Sequence, residues 1–105
     1  MVASLLELGA DVEAEDAYGR RPLHLAAAGG CEEVVKALVE AGASVDAGTQ
    51  GGDTALMKAC MFGHVETAKL LLEAGADPGQ VNSEGQMACD LAELQGDPAL
   101  RDLFA

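Results

Sequence analysis

Aromatic side chains are almost absent from this chain of 105 residues, which has one Tyr, two Phe and no Trp. A chain of this length forms one domain with a small core. Without aromatics, that core has to be filled by Ala, Leu and Val. Such small side chains suit thin, closely packed helix pairs better than a thick sandwich of sheets.

Basic residues and long apolar runs are also scarce. Six Lys and Arg face eighteen Asp and Glu, so that the formal net charge is -12. Nucleic acid and anionic lipid both require a basic patch, and neither is therefore an expected partner. No apolar run approaches the roughly 20 residues that a membrane span needs. The acidic field would speed the approach of a protein partner with a basic surface, and solubility is the alternative explanation of the charge.

The cysteines show no pattern of a disulfide framework or of a metal site. There are three of them, an odd number, and the chain has neither a Cys-x-x-Cys pair nor a paired-His spacing. We expect Cys60 and Cys89 to be small buried hydrophobes and Cys31 to be exposed. We expect no metal and no cofactor, and we expect a reducing compartment, the cytoplasm or alternatively the nucleus.

The most informative feature of the sequence is a period of 33 residues. Nine of the thirteen glycines follow it, and so do three leucines that precede one of the glycine columns. A fixed period of this size is typical of stacked supersecondary units, which generally bind macromolecules through an extended surface. The columns are Gly9/Gly42/Gly75, Gly19/Gly52/Gly85, Gly30/Gly63/Gly96 and Leu5/Leu38/Leu71.

The middle unit shows the plan of the repeat. Thr54 is a good N-cap for a first helix, and Gly63 is suited to end that helix in the left-handed conformation. A second helix is predicted over 65–74 and ends at Gly75. The stretch 76–84 contains Pro, Gly, Asn and Ser, which indicates an extended loop or hairpin.

Two segments carry a family resemblance. Residues 19–27, Gly-Arg-Arg-Pro-Leu-His-Leu-Ala-Ala, resemble the ankyrin-repeat signature that opens a first helix, and residues 71–77 resemble the helix end and hairpin entry of that family. The resemblance implies an all-α solenoid of helix–turn–helix units, with hairpin loops at one edge and a concave face made by those loops and the first helices. It implies one ankyrin domain over 1–105, divided into a half repeat at 1–18, repeats at 19–51 and 52–84, and a C-terminal capping repeat at 85–105.

The chain departs from the family pattern at the starts of the first helices. The Thr-Pro-Leu-His element is incomplete in every unit, and we therefore expect a less stable array than an idealised one. The resemblance assigns structural roles to His24 and His64. The last unit is the most degenerate, and Asp97 followed by Pro98 is expected to begin its final helix.

The N-terminal half unit leads to a separate expectation. The repeat register places Met1 opposite Val34, inside a second helix, so that the apolar side chains of this helix lack a partner. Terminal repeats normally present a polar outer face. Either the array continues in a longer protein or another surface, such as a second copy, covers this end. Replacing Leu5 and Leu8 by Glu is then expected to reduce self-association.

No residue set supports catalysis. Carboxylate neighbours such as Glu32 and Glu33 fit solvated helix starts, and the sequence contains neither a phosphate-binding loop nor a nucleophile elbow. The sequence thus predicts a protein that is not an enzyme, a non-catalytic module for protein–protein interaction. A stand-alone stoichiometric inhibitor of an enzyme, or a regulatory or targeting segment of a larger enzyme or channel, are the alternatives.

Two groups of residues are the candidate contacts of that module. Met61 and Phe62 end a first helix at positions that face the groove in the family geometry, and interfaces favour both residue types. The hairpin tips share one repeat column but vary in chemistry, and they include the only tyrosine. An ordinary solvated tip is the alternative there. The predicted partner-binding residues are Tyr18, Arg20, Asp53, Met61, Phe62, Glu84, Gln86 and Leu94.

Overall fold

The computed structural model describes residues 15–104, and these residues form six α-helices without any strand. The expectations for the unpartnered apolar residues Val2, Leu5, Leu6 and Leu8 lie outside the described residues. The helices are α1 Pro22–Gly29, α2 Glu32–Glu40, α3 Ala55–Met61, α4 Val65–Glu73, α5 Ala88–Gln95 and α6 Pro98–Asp102.

The helices form two layers. Each odd-numbered helix pairs with the next helix in the chain, and α1, α3 and α5 also pack side by side in an inner layer. The partners α2, α4 and α6 pack in the same order in an outer layer. The chain measures 39 × 25 × 20 Å along its principal axes. This stacking leaves the far side of the inner layer uncovered by any other described element.

The core between the two layers is aliphatic, as the composition predicts. Leu38, Leu56 and Leu71 are completely buried, and several alanines on facing positions are equally inaccessible. Alanine at these positions lets the helix axes approach closely, and close packing of this kind makes up for the lack of large rings. The completely buried alanines are Ala27, Ala55, Ala59, Ala68 and Ala92.

Two helix starts follow the sequence prediction. The Thr54 hydroxyl accepts a hydrogen bond from the backbone N–H of Met57 at 3.2 Å and caps α3. The carboxylate of Asp97 accepts from the N–H of Ala99 at 3.0 Å and caps α6. Each side chain satisfies one of the N–H groups that a helix leaves unpaired at its first turn. Both predicted N-caps are confirmed.

The other two inner-layer helices begin without a capping hydroxyl. In α1, Nδ1 of His24 accepts from the N–H of Arg21 at 2.9 Å. In α5, the residue at the same repeat position is Asp90, and its carboxylate accepts from the N–H of Met87 at 2.9 Å. A carboxylate in the first turn is also favoured by the helix dipole. The incomplete signature therefore still provides a side-chain acceptor at each inner-layer helix start.

His24 links α1 to the loop that follows α2. Its Nε2 lies 2.7 Å from the carbonyl oxygen of Ala47, while Nδ1 accepts from Arg21, so that both bonds require the neutral Nε2–H tautomer. Burial lowers the pKa of His24; Lys58 and Arg21 lower it further, whereas the Ala47 carbonyl and Asp53 oppose the shift. A protonated ring loses its acceptor for the Arg21 N–H.

We expect mild acid to destabilise the fold through this residue. The unfolded chain takes up a proton near pH 6.5, whereas folded His24 does so only at lower pH. The contribution of neutral His24 to the free energy of unfolding is therefore fully present above pH 6.5 and is lost as the pH drops towards the folded pKa. Urea unfolding at about pH 7.5 and about pH 5.5 measures this loss of stability. The variant His24→Met introduces the residue type of Met57, which occupies the same repeat position, and should lose less stability between the two pH values. An unchanged pH dependence in the variant would contradict this origin.

Backbone hydrogen bonds join successive hairpin tips. The N–H of Gln50 donates to the carbonyl of Tyr18 at 3.1 Å, and one repeat later the N–H of Ser83 donates to the carbonyl of Gly51 at 2.9 Å. The amide of the Gln50 side chain adds a bond to Ala17 at 3.0 Å. The tips therefore form one continuous edge rather than independent loops.

Successive inner-layer helices are also joined by side-chain hydrogen bonds at their C-terminal ends, away from the hairpin tips. Nε2 of His64 lies 2.9 Å from the carbonyl oxygen of Ala28, the position 36 residues earlier. The Gln95 amide donates to the carbonyl of Met61, which is the counterpart of Ala28 in the next unit. These bonds satisfy carbonyls at helix ends that have no intrahelical partner. The structural role expected for His64 matches this contact.

Candidate functional site

Large apolar side chains are exposed on the uncovered side of the inner layer, which we call the inner face. Phe62 is 57% exposed, Leu94 is 74% exposed and Leu25 is 50% exposed. They lie on three adjacent helices or at their ends, away from the aliphatic core. Phe62 and Leu94 were predicted as contact residues. Leu25 was missed, although the buried positions of Leu23 and Ala26 leave it on the opposite side of α1.

Met61 differs from the expectation that it has no role in the core. Its side chain is half-buried and packs against the core cluster. Its neighbour Phe62, in contrast, is 57% exposed. Phe62 is therefore the exposed member of this pair, and Met61 is partly buried against the core.

The end of α1 carries no side chain at Gly29, and the space beside it is open. Ala28 and Gly29 follow Leu25 by one helical turn on α1. Gly29 is exposed, and a Cβ atom there would meet only the Sγ of Cys31 within 4 Å, at 3.5 Å. The residue at the same repeat position in the next unit is Phe62. At this repeat position, one unit therefore has no side chain and the next unit has a large aromatic ring.

The first hairpin tip is organised by Asp16. One oxygen of its carboxylate accepts from the N–H groups of Tyr18 and Arg20, each at 2.9 Å, and the other accepts from the Arg20 guanidinium at 2.7 Å. The Arg20 backbone bond is the main cause of the lowered pKa of Asp16. The guanidinium also lies 5.0 Å from the ring centroid of Tyr18. Tyr18, 65% exposed, is therefore held outward by its own loop.

The later tips use two of the predicted contact residues internally. The buried amide of Asn82 donates to Asp53 at 2.9 Å and to the Gln86 side chain at 3.1 Å. Asp53 also lies 3.5 Å from the ammonium of Lys58. Asp53 and Gln86 are consequently half-buried parts of the hairpin framework, whereas Glu84 remains exposed. The need to satisfy a buried Asn explains the difference.

The charges near the inner face are unevenly distributed. Every basic side chain on the hairpin tips and inner-layer helices is paired with an acidic one. Glu84 and Glu93, both exposed, form no ion pair within residues 15–104. Glu93 borders a depression together with Arg101, Asp102 and Phe104 of the last unit, so that Glu84 is the carboxylate of this pair that belongs to the hairpin edge. The pairs are Arg20–Asp16 at 2.7 Å, Arg21–Glu15 at 3.2 Å and Lys58–Asp53 at 3.5 Å.

The three cysteines occupy different environments. Cys60 is completely buried, and this burial raises the pKa of its thiol to about 12, with a smaller contribution from Cys89. Cys89 is half-buried rather than buried as expected, and Cys31 is exposed as expected. Cys60 and Cys89 lie on two neighbouring helices of the inner layer, α3 and α5.

We expect a thiol reagent to modify Cys31 first. The thiolate is the reactive form, and only an exposed thiol with an accessible thiolate reacts rapidly near neutral pH. Intact-mass analysis with maleimide should show one fast adduct at Cys31, a slower one at Cys89 and none at Cys60 until urea is added. Equal native labelling of Cys31 and Cys60 would contradict the burial of Cys60.

Comparison with known families identifies the architecture. A family model described as ankyrin repeats in three copies matches residues 1–82. The chain belongs to the ankyrin-repeat family. Ankyrin repeats are generally protein–protein interaction modules and are typically not enzymes. A comparison with curated proteins finds no match.

Two further findings concern the described part of this ankyrin chain. None of the helices α1 to α6 is long and apolar enough to cross a membrane. Within residues 15–104, no three side chains of the metal-ligating types His, Cys, Asp and Glu lie together as a potential metal site.

Proposed function

We propose that this chain binds a partner protein on its inner face, with Phe62 and Leu94 as apolar anchors. Tyr18, Arg20 and Glu84 contribute from the hairpin tips. The single observation that carries the proposal is the exposure of Phe62, at 57%, and Leu94, at 74%, on the side of the inner layer that no described element covers. The module performs recognition without chemistry.

The energetics favour these two residues as anchors. Interface hot spots are concentrated in a few large side chains that lose all contact with water on binding. Burying a Phe or Leu side chain contributes about 1.5–3 kcal/mol. Neither side chain is needed for the packing between the layers. The free-energy cost of exposing them to water in the free protein is therefore not balanced by a structural role.

The framework under the anchors keeps the cost of binding low. The His64–Ala28 and Gln95–Met61 contacts fix each inner-layer helix to the next. A preorganised surface loses little conformational entropy when its partner binds. Asp53, Met61 and Gln86 act in this proposal as supports for the contact surface and make at most peripheral contacts.

We further infer the repeat boundaries and the cellular setting that accompany this function. The boundaries are those predicted from the glycine columns, with repeats at 19–51 and 52–84 and a capping repeat at 85–105. Each interval contains one inner-layer and one outer-layer helix. The exposed thiol of Cys31 favours a reducing compartment, such as the cytoplasm or nucleus, as the working environment.

Affinity capture tests the proposal. The tagged chain, a Phe62→Ala/Leu94→Ala variant and a Lys69→Ala variant are each incubated with the same extract. Lys69 is exposed on α4 in the outer layer, on the opposite side of the molecule. Proteins retained by wild type and Lys69→Ala but lost with the double variant would support the inner face as the binding surface. Proteins retained equally by all three would contradict it.

A further inference from the structure

We propose that the chain has a second binding surface, a groove between α2 and α4, which takes an amphipathic helix of another protein. The flanking charges of that helix follow the order basic, acidic, basic, at intervals of one helical turn. The groove belongs to the outer layer, so the inference concerns a different surface from the inner face and goes beyond the proposed function. It combines an apolar lining with charged side chains that have no ion pair in the described part of the chain.

The groove, which we call the outer groove, consists of two adjoining depressions. Lys36, Leu70 and Glu73 line both of them, so that the depressions form one continuous surface between two packed helices. The second depression has a volume of about 200 Å³. Small-molecule sites measure roughly 300–1,000 Å³, so this depression suits a side chain of a macromolecule better than a small ligand. Its apolar lining residues are Val35, Val39, Leu70 and Ala74.

Leu70 is the apolar residue of the outer groove that has no part in the core. It is partly exposed and lies outside the core cluster, whereas Leu71 belongs to that cluster and Leu72 packs against it. The residue at the same repeat position in α2 is Ala37, so the repeat does not require a large side chain there. An apolar side chain of a partner that contacts Leu70 would remove both from water.

The charged residues of the outer groove form three tiers along the two helices. On each helix the order is Glu, Lys, Glu, with neighbours three or four residues apart, which is about one turn. All six side chains are exposed, and none forms an ion pair within residues 15–104. The groove therefore offers an acidic, a basic and a second acidic tier. The tiers are Glu32 with Glu66, Lys36 with Lys69, and Glu40 with Glu73.

The order of the tiers selects the partner. A helix lying along the groove presents its own flanking side chains at intervals of three or four residues, so basic, acidic and basic tiers meet their opposites. A second copy of the chain is a poor occupant, since it repeats the order acidic, basic, acidic and carries the same net charge of -12. Charge complementarity of this kind chiefly determines specificity and register.

The apolar lining sets the direction of the bound helix. The apolar depression is bordered by Lys36 of the second tier and by Glu40 and Glu73 of the third tier. The apolar residue of the partner is therefore expected between its acidic tier and one of its basic tiers. The first tier lies at the start of α2 and α4, beside the other depression, which has Leu70 as its only apolar lining residue.

Selection from a displayed library of helical peptides tests the proposal with defined probes. The peptides have about 18 residues, or five turns at roughly 3.6 residues each, and the immobilised target is the full chain. Enriched peptides are synthesised, and those that bind Phe62→Ala/Leu94→Ala as tightly as wild type are grouped as ligands of a surface other than the inner face. The expected consensus of this group is the order basic, acidic, basic, with an apolar residue between the acidic tier and one basic tier.

Two variants test the lining and the tiers by fluorescence anisotropy with a peptide of that group. Leu70→Ala should reduce its affinity at least fivefold while helix content is retained, because Ala37 shows that the repeat accepts Ala. Lys36→Glu should reduce affinity about three- to fivefold. A peptide whose acidic tier is replaced by Lys should then prefer Lys36→Glu over wild type. Arg101→Glu, on α6, changes the net charge equally and should leave affinity unchanged.

The outcomes bear on the outer groove separately from the inner face. The inference is overturned if no enriched peptide keeps its affinity for Phe62→Ala/Leu94→Ala, or if those that do bind Leu70→Ala and Lys36→Glu as tightly as wild type. It is also overturned if the charge-exchanged peptide still prefers wild type. Peptides that are lost with Phe62→Ala/Leu94→Ala support the proposed function whatever happens at the outer groove.

Discussion

Replacing Phe62 by Ala is expected to weaken a true partner about thirtyfold, equivalent to about 2 kcal/mol. The ring is 57% exposed and follows the last residue of α3, so its removal leaves no cavity between the layers. Thermal unfolding should therefore change little. Arg20→Ala should act more weakly and in a salt-dependent manner, because the guanidinium is partly exposed and already paired with Asp16.

The neighbouring Met61 provides a matched control for this prediction. Met61→Ala removes a half-buried side chain that packs against the core and should lower the melting temperature more than Phe62→Ala does. Isothermal titration with the captured partner and differential scanning calorimetry measure the two effects. If Phe62→Ala lowers the melting temperature sharply while affinity is unchanged, Phe62 belongs to the core and the anchor has been misplaced.

Replacing Gly30 by Ala is expected to destabilise the fold by about 2–4 kcal/mol. Gly30 has a φ of 68°, in the left-handed region that costs other residues about 1–2 kcal/mol. A Cβ atom there would lie 2.6 Å from Nδ1 of His64. The ring has to move, and its bond to the Ala28 carbonyl is lost, leaving a polar group unpaired at a further cost of about 1–3 kcal/mol.

Gly96 is the appropriate control because it occupies the same repeat column. Its φ is 70°, almost identical to that of Gly30, but a Cβ atom there meets nothing within 4 Å. Gly96→Ala thus carries the backbone cost alone, and the difference between the two variants in urea unfolding measures the contact between the units. Equal destabilisation by both substitutions would show that His64 adjusts without loss.

The regular parts of this fold were predictable from the sequence because they depend on local chemistry repeated at a fixed period. Thr54, Asp97 and Pro22 mark helix starts that a side chain or a fixed φ favours, and Gly63 marks an end that requires a positive φ. These signals act within a few residues. The two layers then follow from the small, regularly spaced alanines and leucines.

The surface was predicted less completely, since exposure depends on contacts between distant residues. Met61 and Phe62 are adjacent, and only the packing of α3 between its neighbours decides which one faces the core. Asp53 and Gln86 are engaged by the amide of Asn82, which no local pattern in the sequence reveals. Leu25 could have been found from helical periodicity, because the buried positions of α1 leave it outside.

The two joints between successive inner-layer helices differ in stiffness. At the first joint, the imidazole of His64 fills the space beside Gly30, with three ring atoms within 3 Å of where a Cβ would be. At the second, the equivalent space beside Gly63 is approached only by the flexible amide of Gln95, at 3.4 Å. Bending of the array should therefore concentrate between the second and third units. Leu25 and Phe62 should then keep a fixed separation, while the position of Leu94 relative to them changes. This change would let the surface bind partners of different width.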